Sequence, residues 1–198
     1  MMIKAKDIER KLTEKTFDQL MTISKFVKLT DLEDRNSHLR KSGLLPKGGR
    51  GIYAPSISCR DAAVMLLGLS ATRIARDAAK GVKEYGDLVP VNAKNTSLEE
   101  FNTLLDALEF LIANPETASN VVQIRIFHNA PIAEIEFEKI VIKFMSPGDI
   151  RGCQSKRLNP MDYGRQGPGT MYFFGGGIIH QLALDFGMDY NADWSPTG

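Results

Sequence analysis

The sequence predicts an α+β protein, with a helical N-terminal half and, behind it, an antiparallel sheet of about four strands packed with helices. Two patterns and a charge asymmetry carry that expectation. Apolar residues recur at helical spacing, behind capping signals, from residue 16 to residue 112. From Val121 the period drops to two through three successive runs. Charge divides the chain in the same way. Residues 1–90 hold 17 Lys+Arg against 11 Asp+Glu, a net +6, and residues 91–198 hold 8 against 13, a net −5. The 198 residues are together nearly neutral at +1, with 43% hydrophobic and 25% charged residues, the balance of a globular chain able to bury a core without staples. The expected division is residues 1–88 and 97–198, with a linker from Val89 to Ser97 that contains Pro90.

In chain order, Thr16-Phe17-Asp18-Gln19 has the form of a capping box, and Phe17, Leu20, Met21 and Val27 mark the stripe of the helix behind it. Thr30-Asp31-Leu32-Glu33 repeats the signal. Leu32 and Leu39 face inward on that second helix, and Gly43 ends it in the left-handed conformation. Next, Leu44-Leu45 and Ile52-Tyr53 are the arms of a hairpin closed by Gly48-Gly49. Ser58 caps a densely apolar helix from Cys59 to Leu69, and Ser70 restarts helical periodicity through Ile74, Ala78, Ala79 and Val82 to Gly86.

Ser97-Leu98-Glu99-Glu100 is the cap expected for the amphipathic helix of Phe101, Leu104, Leu105, Leu108, Leu111 and Ile112. That helix could cover a sheet or form a dimer seam; at only two heptads it is short for a free coiled coil, so sheet packing is preferred. Val121–His128, Pro131–Phe137 and Lys139–Met145 then read as a three-stranded meander, with Glu134, Glu136 and Glu138 on its solvent face. Ser146–Gly169 reads as a long polar loop. Thr170–Phe174 is a last strand, Gly175–Gly177 a hinge, and Ile178, Ile179, Leu182 and Phe186 the stripe of a final helix.

The front half holds one sharply one-sided segment. From Arg35 to Arg60 there are six basic residues (Arg35, Arg40, Lys41, Lys47, Arg50 and Arg60) and no acid. A polyanion suits such a window, because each phosphate neutralised by Lys or Arg releases condensed counterions. The alternative is pairing with the acidic back half of the same chain. Two short helices separated by a turn at Val27–Leu29 have helix-turn-helix dimensions. On the second, Arg35, Asn36, Ser37, His38, Arg40 and Lys41 are the side chains able to address base edges and phosphates in a major groove. The hairpin adds Lys47, Gly48, Gly49, Arg50 and Tyr53 as a wing, its glycines letting backbone approach a phosphate.

The run LRKSGLLPKGGRGIYAPSIS resembles the winged helix-turn-helix DNA-binding proteins of bacterial and prophage type, as at the start of mercury-resistance-type regulators and phage excisionases. The resemblance covers roughly residues 13–85. It implies a sequence-specific DNA-binding domain, with Arg35, Asn36, His38, Lys41 and Arg50 in the contacting positions. No long dimerising coiled coil follows, and the C-terminal half carries no resemblance.

Catalytic and metal chemistry have little footing in the sequence. His38, His128 and His180 share no ligand spacing, Cys59 and Cys153 lie in no nucleophile motif, and Gly175–Gly177 lacks the Lys-Ser/Thr of a phosphate loop. No enzyme activity, cofactor or metal is therefore expected. With no membrane-length apolar run, and no signal-like run in Met1–Asp7, the expected compartment is the cytoplasm. The expected partners are double-stranded DNA, a second copy of the chain in a dimer, and a protein partner for the C-terminal domain. A transcriptional regulator fits best. A DNA-packaging recognition subunit, and a protein-binding inhibitor or adaptor without DNA binding, are the other assignments left open.

Overall fold

A computed structural model describes residues 29–47, 57–93, 96, 98–161 and 171–191. The expected helix behind Thr16, the hairpin tip with Gly48, Gly49, Arg50 and Tyr53, and the Ser97 cap lie outside these residues. The helices are α1 (Leu29–Lys41), α2 (Cys59–Ser70), α3 (Ala78–Gly86), α4 (Leu104–Ala113), α5 (Pro115–Ala118), α6 (Pro147–Ser155) and α7 (Gly176–Asn191). The strands are β1 (Val89–Pro90), β2 (Val121–Phe127), β3 (Ile132–Phe137), β4 (Val141–Met145) and β5 (Met171–Gly175).

The first half builds its helices largely as the sequence signals. The end of α1 is fixed by Gly43 at φ 77, which lets the Leu44 amide reach the Leu39 carbonyl at 3.0 Å and the Gly43 amide reach the Arg40 carbonyl at 3.1 Å. The start differs by a turn fragment: α1 begins at Leu29, so Thr30 lies inside it. Leu44 and Leu45 form a bend, with Leu45 buried at 4% exposure, and not the strand arm expected of a hairpin. Ser58 caps α2 in a reciprocal capping box with Asp61. The helical periodicity beyond Ser70 is interrupted: a single 3-10 turn, Ala75–Asp77, precedes α3.

The sheet has five strands, one more than expected, in the order β1-β4-β3-β2-β5, and every pairing is antiparallel. The added strand is β1, at the head of the segment read as a linker, where Val89 and Pro90 pair with Met145 and Phe144. Helix α4 is capped by Thr103, whose hydroxyl accepts from the Asp106 amide, because the apolar stripe starts at Leu104 and not at Phe101. Phe101 instead stacks on Phe110 with centroids 4.6 Å apart. Helix α4 lies mainly against α2, α3 and α7, so helices and not strands cover most of its apolar face.

The polar stretch after Met145 begins as a helix, α6. Ser146 accepts from the Asp149 amide at 3.0 Å, and Pro147 fills the first turn, where a missing N–H costs nothing. Helix α7 follows β5 without a linker. A Cβ at Gly176 would overlap the Val121 carbonyl, so glycine there serves close strand–helix packing.

One buried core runs through both halves, from Leu32, Leu39 and Leu66 through Leu108 and Leu111 to Ile124, Ile135, Phe144 and Leu182. One sheet face, with Ile124, Ile126, Ala133, Ile135, Ile142, Phe144 and Phe174, lies against it. A smaller cluster of Ile132, Met145 and Cys153 seats α6 on the other face. Among the described residues no helix is long and apolar enough to cross a membrane.

Candidate nucleic-acid interface and the polar sites around it

Helix α1 carries six of the residues singled out in the sequence, and the structure sorts them by angle. Leu32, Arg35, Asn36 and Leu39 form one stripe at i, i+3, i+4 and i+7, and all four are buried, with Arg35 at 4% and Asn36 at 2% exposure. These two polar residues therefore point into the fold, away from any groove that the helix could enter. Arg35 takes up a cage of acceptors. Its Nε lies 2.8 Å from Asp31 Oδ2, its Nη1 donates to the carbonyls of Gly68 at 3.0 Å and Thr72 at 2.8 Å, and its Nη2 donates to the carbonyl of Arg73 at 3.0 Å. Those carbonyls belong to the last turn of α2 and the bend beyond it, where helix geometry leaves acceptors without amide partners. The planar guanidinium satisfies three of them at once, which an ammonium could not. Neither polar atom of the Asn36 amide has a hydrogen-bond partner among the described residues.

Arg40, Lys41 and Lys47 are exposed, and Ser37 and His38 are half-exposed on the arc that precedes them. None of the three cations has an ion-pair partner among the described residues. They sit at the helix end whose dipole favours positive charge. Glu33 and Asp34 are exposed near the other end, so the outward surface grades from acidic to basic along the axis. Arg60 does what the self-pairing alternative anticipated. It bridges α2 to the back half through Asp106 at 3.1 Å and Glu109 at 2.7 Å, and those carboxylates raise its pKa.

Two polar sites lie outside α1. Across the second sheet face, Phe173, Arg125, Glu134 and Lys143 stand in register on four adjacent strands. The period-two pattern predicts a solvent face for Glu134. Glu134 is instead 1% exposed, with Arg125 Nε 3.1 Å away and the long side chains of Arg125 and Lys143 in register on either side of it. Arg125 also reaches Glu136 at 2.7 Å, and Lys143, fully buried, donates to the Met161 carbonyl at 3.0 Å. Glu136 is half-buried and Glu138 exposed. Gln123, Phe127, Met171 and Phe173 complete an open groove of about 620 Å³ over these charges.

The second site is a hollow of about 820 Å³ between the 71–74 bend, α3 and the β2–β3 turn. There Tyr85 donates to the Phe127 carbonyl and, at 3.3 Å, to that of Ala130. Burial, reinforced by Glu84, pushes its pKa up to about 12. His128 Nε2 lies 2.7 Å from the Ser70 carbonyl, which assigns the proton to that nitrogen, and Nδ1 is buried without a partner among the described residues. Among the described residues no group of three or more His, Cys, Asp or Glu is placed to hold a metal ion.

Comparison of the chain with protein-family models, with curated proteins and with solved structures returns no match.

Proposed function

We propose that this chain is a sequence-specific double-stranded-DNA-binding protein of the transcriptional-regulator kind, working as a dimer, with the C-terminal end of α1 as its contact. The observation that supports this most directly is the set of exposed cations Arg40, Lys41 and Lys47, held at one helix end and its following bend with no carboxylate paired to them among the described residues. In this reading the three cations meet phosphates, while Ser37 and His38, on the same outward arc, meet base edges. Arg35 and Asn36 have no part in the contact, because both are buried. Arg35 acts by fixing α1 against α2, which sets the direction in which the outward residues point.

Selection from a random duplex library tests the reading. A recovered consensus, altered in the double variant Ser37→Ala/His38→Ala at the positions those side chains read, is the expected result. Recovery of duplexes no different from the input library would overturn it.

A further inference from the structure

The two edges of the sheet are built differently. β1 closes one edge with two residues, one of them Pro90, the kind of short, proline-bearing strand that resists pairing with another chain. β5 forms the other edge, and among the described residues it pairs with β2 alone. Its sequence, Met-Tyr-Phe-Phe-Gly, has no charge, no proline and high strand propensity, so it lacks the devices that guard an edge. Met171 at 47% and Phe173 at 68% exposure stand on the sheet face that carries the groove, at this edge, and Phe173 is the most exposed large apolar residue among those described.

We infer that a second copy of this chain docks along β5, edge to edge and antiparallel, with Phe173 opposite its counterpart in the other copy. The strand is self-complementary in that arrangement. Phe173 is the middle of five residues, so full pairing sets Met171 against Gly175, Tyr172 against Phe174, and Phe173 against itself on the two-fold axis. A long side chain faces a glycine, and the centre is an aromatic cross-strand pair, among the favourable pairs of a sheet. Charge does not oppose the approach, since Arg125 beside Phe173 is matched within each copy by Glu134 and Glu136. The row Lys143–Glu134–Arg125–Phe173 would then run symmetrically through both copies. Self-complementarity is what favours a second copy over a strand from an unrelated protein.

The inference rests on the two-copy part of the reading above. Its test is molar mass in solution, by light scattering, for the full chain and for Phe173→Lys, with circular dichroism confirming that the exposed substitution leaves the fold intact. The expected result is twice the 22.0 kDa chain mass for the parent and a single chain for the variant at the same concentration. The dissociation constant should rise about 30-fold or more, the scale of an interface hot spot. Phe173→Cys, with Cys59 changed to Ser, should form a covalent dimer on mild oxidation. A dimeric parent with an equally dimeric Phe173→Lys variant overturns the β5 interface and leaves the two-copy reading standing. A monomeric parent overturns both. Duplex-DNA binding measured on the same samples shows separately whether the DNA contact stands.

Discussion

Arg35 and Lys41 lie less than two turns apart on one helix, in one acid-free window, and have opposite fates. Arg35 is 4% exposed and holds a carboxylate and three backbone carbonyls. Lys41 is exposed, at the end of the helix, with no ion-pair partner among the described residues. The difference comes from angle and not from composition. Position 35 falls three residues after Leu32 and four before Leu39, on the buried stripe, and position 41 does not. A one-sided run of basic residues is therefore not a single feature. Arg35 and Arg60 hold the fold together, and Arg40, Lys41 and Lys47 are exposed with no ion-pair partner among the described residues.

The sharpest way to break this comparison is at its inner member. Arg35→Ala leaves the carbonyls of Gly68, Thr72 and Arg73 facing a void, so a loss of about 3 kcal/mol or more is expected in the denaturant midpoint. Arg35→Lys should recover little of it, because one ammonium cannot span three carbonyls and Asp31. A stability change below about 1 kcal/mol would show that the cage is incidental. A smaller effect comes from Tyr85, another polar group committed inside. Its folded pKa, about 12, lies above the unfolded value near 10, so the stabilisation it gives is complete below pH 10 and is lost as pH rises toward 12. Tyr85→Phe should lack that component of the fall in stability between pH 10 and 12, and should cost about 1 kcal/mol at neutral pH from the unmade bond to the β2–β3 turn. Parallel profiles for parent and variant would contradict the assignment.

Much of the fold is legible in the sequence because local rules agree with packing. The meander of β2, β3 and β4 follows from period-two runs, and the Ser58–Asp61 box and Gly43 mark real helix ends. The losses occur where a residue's role depends on distant partners. Pro90 reads as a linker residue until β4 lies alongside it. Ser146-Pro147-Gly148-Asp149 reads as loop although serine, proline and aspartate also compose a helix start. At the site, the spacing of Leu32 and Leu39 already places positions 35 and 36 inward. The chemistry of arginine and asparagine predicts exposure instead, because nothing local reveals that the bend at Thr72 and Arg73 supplies acceptors for a buried guanidinium. Glu134 is buried for the same reason: Arg125 and Lys143, which flank it, come from the two neighbouring strands.

The central claim is that the cations at the end of α1 meet phosphates, and salt dependence tests it most directly. Binding of a duplex by fluorescence anisotropy across a series of salt concentrations should give a line of log K against log salt, steepened by about 0.9 for each phosphate neutralised. In Arg40→Glu/Lys41→Glu/Lys47→Glu, affinity should fall and the slope should flatten by about 2 to 3, with the melting temperature recorded because charge at a helix end also affects stability. A parent that fails to hold duplex DNA even at low salt, or a triple variant with the parent's affinity and slope, would contradict the account.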